Sequence, residues 1–168
     1  KAQLSFAGGS DIDGMEIYDP VTSPLRDDFA LTFYTLRKHK GVTMEDALSA
    51  VREPHICAAL LVKMGLADGT LSGAVTTTAD IVRAAIQIIG LAPDTKLVSS
   101  FFLMLFCESH HVKKGAHVFA DGGLVVDPTA EELAEIARAS AVSFALLTGE
   151  TPRVAMLSFS TLGSASHN

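Results

Sequence analysis

The chain has 168 residues, of which 48% are hydrophobic and 19% are charged, a composition that excludes a disordered or low-complexity segment. Its 13 basic and 19 acidic side chains give a formal net charge of −6, which argues against a nucleic-acid-binding surface because such a surface needs clustered Lys and Arg. The mean hydropathy of +0.33 is high, which predicts a covered sheet or surfaces that meet another part of a longer chain.

No membrane span or signal peptide is predicted. The most apolar window, residues 97–107, is shorter than the roughly 20 residues that a membrane helix needs. The start at Lys1 lacks an initiator Met, so we expect the chain to begin inside a longer protein. Cys57 and Cys107 lie in apolar surroundings without metal-type spacing, which predicts two core thiols in a reduced, cytoplasmic protein.

Two helices are predicted in the first third of the chain. Ser23 is a favourable N-cap for the first helix, and Gly41 follows a run of basic residues that suits a helix C-terminus. Thr43 and Asp46 have capping-box spacing and begin the second helix, which Pro54 is expected to stop.

Two further helices flank a segment rich in small residues. Residues 56–64 predict the third helix. Residues 65–74 predict a strand that packs closely against helices and leads into a loop. Thr77 and Asp80 then begin a fourth helix, and Gly90 ends it.

Strands are predicted mainly in the second half. Residues 97–107 and 116–121 predict two strands joined by a polar turn, the first of them buried. A long helix runs from a capping box at Thr129 to Gly149, and residues 153–157 predict a short buried strand. Strands that alternate with capped helices are typical of an α/β fold.

A first candidate anion site lies where residues 72–78 lead into the fourth helix. Unpaired backbone N–H groups and the positive dipole end at a helix start favour phosphate, and hydroxyls and a guanidinium fork add donors. The side chains concerned are Ser72, Thr76, Thr77, Thr78 and Arg83. The alternative is that the threonines are only helix caps and that Arg83 only pairs with Asp80.

A second candidate lies in residues 158–164, a loop rich in hydroxyls that contains Ser158, Ser160 and Thr161. Ligands of open α/β sheets bind beyond the carboxyl ends of strands, where this loop is expected. The alternative is a solvated strand-to-helix turn. The sequence contains no dinucleotide-binding glycine fingerprint, no P-loop and no Gly-x-Ser-x-Gly elbow.

Four residues near the predicted polar turn allow two further hypotheses. His110, His111 and His117 suggest a metal site, but adjacent residues of an extended chain point to opposite sides, which favours solvated surface histidines. Asp121 follows a strand and could serve as a base, although the glycines after it make a turn role at least as good an explanation.

Six stretches of this sequence together resemble the phosphate acetyltransferase family, whose members exchange acetyl groups between acetyl phosphate and coenzyme A. They occur in order along nearly the whole chain. The stretches are residues 36–43 (LRKHKGVT), 67–74 (ADGTLSGA), 77–80 (TTAD) with Arg83, 118–121 (VFAD), 127–134 (DPTAEELA) and 153–161 (RVAMLSFST). Relative to the family pattern, this chain carries Leu162 in place of a frequent Lys and Ala84 in place of a frequent Pro.

The resemblance implies a two-domain, three-layer α/β fold resembling isocitrate and isopropylmalate dehydrogenases, with the active site between the domains. Residues 1–94 would form part of the first domain and residues 95–168 part of the second. Phosphate acetyltransferase activity is the main hypothesis. The alternatives are an acetyl-coenzyme-A-sensing regulatory domain of the same family, a phosphate butyryltransferase, and a fold relative that binds another phosphorylated ligand.

The resemblance also implies the roles of the candidate residues. The first set would bind acetyl phosphate, and the loop at residues 158–164 would face it across the cleft. The catalytic Ser and the Asp that deprotonates the coenzyme A thiol have no counterpart in this sequence, so we expect the chain alone to be inactive. Coenzyme A is expected as a substrate, with no further cofactor, and the protein is expected to be a cytoplasmic homodimer.

Overall fold

The computed structural model of the chain describes residues 16–93, 95–112, 114–157 and 160–164. The chain divides into two compact units, Lys1–Gly90 and Leu91–Asn168. Helices and a sheet are both present, so the mixed α/β class is confirmed. The expected alternation of strands with helices is not seen, because every described strand belongs to the second unit. That residues 1–94 and 95–168 are parts of two domains of a larger fold stays a prediction.

The described part of the first unit is helical. In chain order it contains α1 (Arg26–Arg37), a 3-10 turn (Lys38–Lys40), α2 (Met44–Ala50), α3 (Pro54–Lys63), α4 (Thr78–Ala84) and a π-helical turn (Ala85–Ile89). Gly41 follows the 3-10 turn with a φ of +84°, a left-handed conformation that glycine adopts without a Cβ clash. This terminal glycine and all four predicted helices are confirmed.

Two predicted helix boundaries are wrong. Ser23 is not the N-cap of α1, because its hydroxyl accepts a hydrogen bond from the N–H of Leu25 at 3.2 Å within a preceding turn, and the helix begins at Arg26. The third helix is predicted from residue 56, but α3 begins at Pro54, which follows the end of α2 as expected. Its missing N–H costs nothing there, since the first N–H groups of a helix have no intrahelical partner.

The predicted strand within residues 65–74 is absent. Leu71 is fully exposed, and a Cβ added at Gly69 would meet no atom within 4 Å. A strand needs a neighbouring strand for its backbone hydrogen bonds, and the structure provides none for this segment among the described residues. The small residues therefore form an exposed loop between α3 and α4.

The core of the first unit forms where α1, α2 and α3 meet the end of the fourth helical segment. Phe29, Val51, Leu60 and Ile88 are its largest fully buried side chains. Burial of each such side chain contributes about 1.5–3 kcal/mol. Because Ile88 and Ala84 anchor one face of α4 and the π-helical turn in this core, the polar face of α4 is directed to solvent.

The second unit contains a hairpin and one long helix. Strands β1 (Phe101–Phe106) and β2 (Gly115–Ala120) pair antiparallel, in a register that runs from Phe101 opposite Ala120 to Phe106 opposite Gly115. Helix α5 (Ala130–Thr148) contacts β2, begins at a capping box of Thr129 and Glu132, and ends at Gly149. Both strands and this helix are confirmed.

Burial in the second unit differs from what the sequence predicts. Five of the six β1 residues are exposed, with Phe102 at 59% and Leu105 at 66%, although the sequence predicts a buried strand. Cys107 is also exposed, whereas Cys57 is buried as expected. Residues 153–157 form no strand, and Leu157 is 82% exposed. A two-stranded sheet has two faces that other elements would have to cover. In the described part of this unit Ile136 is the single buried hydrophobic residue, so most of the sheet surface stays exposed.

No described helix combines the length and the apolar character that crossing a bilayer requires.

Candidate functional site

The N-terminus of α4 holds the first set of candidate residues around one carboxylate. Thr77 is the N-cap, and its Oγ1 accepts a hydrogen bond from the N–H of Asp80 at 3.2 Å. The same hydroxyl donates to Oδ2 of Asp80 at 2.6 Å. These two bonds fix the Asp80 side chain over the first turn of the helix, as the Thr-x-x-Asp spacing predicts.

The guanidinium of Arg83 joins this arrangement from the next turn. Its Nη1 donates to Oδ1 of Asp80 at 2.6 Å, and the Arg83 side chain remains 60% exposed. The pKa of Asp80 lies below its ordinary value, first because the Thr77 hydroxyl donates to the carboxylate and second because Arg83 does so too. Asp80 is therefore an anion that orients Arg83 while the Arg83 side chain stays largely exposed.

The other members of the first set stand apart from this triad. Ser72 and Thr78 are exposed, and Thr76 is half-buried. No hydrogen bond joins any of these three hydroxyls to Arg83 in the part of the chain that the structure describes. The structure therefore brings together Thr77, Asp80 and Arg83. This arrangement supports the Arg83–Asp80 ion pair, which is the alternative to a phosphate site. It also leaves the guanidinium accessible to an anion.

The second set lies in the other unit. Ser160 is half-buried and precedes a 3-10 turn, Thr161–Gly163, which is closed by a 3.0 Å hydrogen bond from the N–H of Ser164 to the carbonyl oxygen of Thr161. Ser158 lies outside the described residues. That this loop faces Arg83 across a cleft stays a prediction.

The three histidines form an aromatic cluster. The ring centroids of His111 and His117 lie 5.0 and 5.1 Å from that of Phe106, both in edge-on geometry. Within the described ranges, no three His, Cys, Asp or Glu side chains are arranged to hold a metal ion. His110 thus packs against His111 in the turn between β1 and β2, whereas His111 and His117, the latter on β2, pack against Phe106.

Asp121 organises the turn that follows β2. Its carboxylate accepts hydrogen bonds from the N–H of Ser100 at 2.7 Å and of Leu124 at 3.0 Å, and also from the Ser100 hydroxyl and the N–H of Val125. Partial burial raises the pKa of Asp121, but these hydrogen bonds outweigh it and lower the pKa to about 2. A carboxylate so strongly held is a poor general base, which favours the turn role.

Two residues have a larger role in the structure than the sequence predicts. The sequence predicts Asp80 as part of the helix start and as a competing partner of Arg83, and in the structure it is also the group that orients the guanidinium. The signal was present in the Thr-x-x-Asp-x-x-Arg spacing, which places the three side chains on one helix face. No local sequence pattern marks Ser100, because its partner Asp121 lies 21 residues away.

Comparisons with known proteins identify the family. Residues 2–168 match the family described as phosphate acetyl/butaryl transferase. The phosphate acetyltransferase of Paracoccus denitrificans is 49% identical over 99% of this chain and 52% of its own length. The corresponding protein of Acetivibrio thermocellus is 46% identical over 96% of this chain and 48% of its own length.

Two solved structures agree with this match. The EutD phosphotransacetylase from Staphylococcus aureus is 36% identical, with a TM-score of 0.78 over 99% of this chain and 48% of that one. A phosphotransacetylase from Streptococcus pyogenes is 40% identical, with a TM-score of 0.77 over the same shares. The chain spans about half the length of the relatives that it matches. This chain belongs to the phosphate acetyl/butyryl transferase family.

Proposed function

We propose that the protein containing this chain transfers acetyl groups reversibly between acetyl phosphate and coenzyme A. The observation that carries the proposal is the family match over residues 2–168, together with 49% identity to a phosphate acetyltransferase. The family description also covers butyryl transfer, which makes phosphate butyryltransferase the second candidate. The named relatives favour the acetyl group.

The geometry at α4 supports Arg83 as a phosphate-binding group. Arg83 contacts Asp80 through Nη1 and is 60% exposed, so the rest of its planar fork can meet two oxygens of a phosphate. Asp80 holds the guanidinium in one orientation before the substrate arrives, which lowers the entropic cost of binding. The exposed hydroxyl of Thr78, on the first turn of α4, adds a further donor at the same helix end.

The reaction itself is an acyl transfer. The thiolate of coenzyme A attacks the acetyl carbonyl carbon, a C–S bond forms, the C–O bond to phosphate breaks, and phosphate leaves with the bonding electrons. Arg83 would stabilise the negative charge that grows on the leaving phosphate, where such interactions lower the barrier most. In this proposal the thiol proton goes to the Asp that the family resemblance implies as the base.

The remaining parts of the proposal follow from the family. Ser72, Thr76, Thr77 and Thr78 with Arg83 form the acetyl phosphate side of the site, and Ser158, Ser160 and Thr161 form the facing loop. The full protein is a two-domain enzyme of acetate metabolism with an architecture like that of isocitrate dehydrogenase, a cytoplasmic homodimer that uses coenzyme A as a substrate and needs no other cofactor. The TM-scores of 0.77 and 0.78 support the part of this proposal that concerns a fold shared with phosphotransacetylases.

An alanine substitution at Arg83 in the whole protein tests the proposed site. We expect Arg83→Ala to lower kcat/KM for acetyl phosphate about 100- to 1,000-fold, the usual effect of removing one donor that stabilises a developing charge. Arg138→Ala is the matched control, because Arg138 also pairs with a carboxylate three residues earlier, Glu135, at 2.6 Å and is 63% exposed. Equal activities of the two variants would contradict the assignment of Arg83, whereas a wild-type protein without acetyl transfer would contradict the proposed function.

A further inference from the structure

The threonine N-caps of α2, α4 and α5 differ in how the carboxylate three residues later is used. In α2 and α5 the hydroxyl of Thr43 or Thr129 accepts that residue's N–H, and its carboxylate turns back to accept the backbone N–H of the threonine. In α4 the Thr77 hydroxyl accepts the N–H of Asp80 in the same way, but among the described residues the backbone N–H of Thr77 gives no hydrogen bond to that carboxylate. The Asp80 carboxylate therefore does not complete a capping box.

The two oxygens of the Asp80 carboxylate have separate partners. Oδ2 accepts a hydrogen bond from the Thr77 hydroxyl at 2.6 Å, and Oδ1 accepts one from Nη1 of Arg83 at 2.6 Å. The terminal torsion of an aspartate has only a broad preference of its own, so its carboxylate turns easily unless a partner holds it. Because the carboxylate is planar, the bond that fixes Oδ2 also fixes the direction in which Oδ1 meets the guanidinium.

The Thr77 hydroxyl is not available as a donor to a substrate. A threonine hydroxyl carries a single proton, and that of Thr77 is donated to Asp80. Phosphate oxygens are hydrogen-bond acceptors, so they gain no bond from this hydroxyl while the bond to Asp80 is held. Thr77 can therefore affect a phosphate bound at Arg83 only through Asp80.

We propose that Thr77 is a positioning residue, which sets the orientation of the Arg83 guanidinium by holding the Asp80 carboxylate. This inference rests on the proposed function, in which Arg83 binds the phosphate of acetyl phosphate. The Arg83 side chain is 60% exposed, so the bond to Asp80 is an important restraint on it. When the Thr77 hydroxyl is lost, Asp80 turns more freely, the guanidinium samples more orientations, and phosphate binding costs more entropy.

Two substitutions in the whole protein separate this role from that of a helix cap. Glycine is nearly as good an N-cap as threonine and alanine is a poor one, and neither carries a hydroxyl. We expect Thr77→Gly and Thr77→Ala to lower kcat/KM for acetyl phosphate by the same factor, about 5- to 30-fold, which is the usual effect of losing one hydrogen bond to a charged group. Thr77→Ser keeps the hydroxyl and should stay within about twofold of the wild type.

The cap of α2 provides the matched control. The Thr43 hydroxyl also donates to a carboxylate three residues later, that of Asp46, at 2.6 Å, but the next position at that spacing is Ser49 rather than an arginine. We therefore expect Thr43→Gly and Thr43→Ala to leave kcat/KM unchanged. In a protein that already carries Arg83→Ala, Thr77→Gly and Thr77→Ala should cause no further loss, because they act through the guanidinium.

Three results would overturn the inference. One is unchanged kcat/KM in the Thr77 variants. Another is a loss that follows cap strength, small in Thr77→Gly and large in Thr77→Ala. The third is a loss of the same factor when Arg83 is already alanine, a test that either Thr77 variant allows if the other fails to fold. Each of these results leaves an active wild type and the proposed function intact, whereas a wild-type protein without acetyl transfer would contradict the proposed function itself.

Discussion

The carboxylate of Asp121 accepts the backbone N–H of Ser100 at 2.7 Å, which ties the residue before β1 to the residue after β2. The Ser100 hydroxyl also donates to this carboxylate and accepts the N–H of Gly122 at 3.0 Å. The open end of the hairpin is thus closed by side chains where the ladder of backbone hydrogen bonds ends. We call these hydrogen bonds among Ser100, Asp121 and Gly122 the clasp of the hairpin. Because a two-stranded hairpin is only marginally stable in water, the clasp is expected to contribute to its stability.

Loss of the Asp121 charge should weaken the second unit in acid. The folded pKa of about 2 lies below the ordinary value of 3.8, so the stabilisation is complete above about pH 4 and is lost as pH falls toward 2. We expect Asp121→Asn to lower the free energy of unfolding by about 1–3 kcal/mol at pH 7, since donors to Asp121 lose an anionic acceptor. Urea unfolding of the whole protein at pH 7 and pH 3 measures both effects.

The exposed carboxylate of Asp68 provides the control for this experiment. Asp68→Asn should leave stability within about 0.5 kcal/mol of the wild type at pH 7. If Asp121→Asn proves as stable as Asp68→Asn at pH 7, the clasp contributes nothing to the free energy of unfolding.

A methyl group at Gly122 should strain the same clasp. A Cβ there would lie 3.1 Å from the Ser100 Oγ and 3.1 Å from a ring carbon of Phe102. The exposed Phe102 ring can yield, but Asp121 holds the Ser100 hydroxyl in place. We expect Gly122→Ala to cost about 1–3 kcal/mol in urea unfolding. Gly69→Ala, in open space, is the control, and equal stability of the two variants would contradict this prediction.

Truncation in the core of the first unit should be costly. Leu60 is fully buried within this core, so Leu60→Ala leaves a cavity, and we expect a loss of about 2–5 kcal/mol in the free energy of unfolding. Leu31→Ala removes the same atoms from a side chain that is 55% exposed and should change stability by less than about 0.5 kcal/mol. Thermal unfolding followed by circular dichroism compares them, and similar losses for both would refute the assigned core.

The 168-residue chain by itself should not form acetyl-coenzyme A from acetyl phosphate and coenzyme A. The family resemblance implies a catalytic Ser and a thiol-deprotonating Asp that this sequence does not contain. Thioester absorbance measures turnover directly, with the whole protein as the positive control. Measurable turnover by the purified chain would mean that the base lies within these residues.

The helix starts were predicted from the sequence because their cause is local. In each of the capping pairs Thr43–Asp46 and Thr129–Glu132, the hydroxyl accepts an N–H three residues later and the later carboxylate accepts the N–H of the threonine. Such bonds join atoms within one turn, so spacing alone determines them. Ser23 shows the limit of this rule, since its hydroxyl serves a turn that precedes the helix.

Burial and long-range contacts were decided by the tertiary structure. The apolar run of β1 predicts a strand, which is present, but no local pattern can say what covers its faces, and the strand is exposed. Ser100 and Asp121 meet because the register of the hairpin brings their backbones together across 21 residues. The sequence by itself determined the helix caps and the Thr77–Asp80–Arg83 alignment, because hydrogen bonds within one or two turns fix them. It also predicted the two strands of the hairpin, from their apolar runs. Tertiary structure alone decided which apolar residues are buried, because burial depends on partners that are distant along the chain.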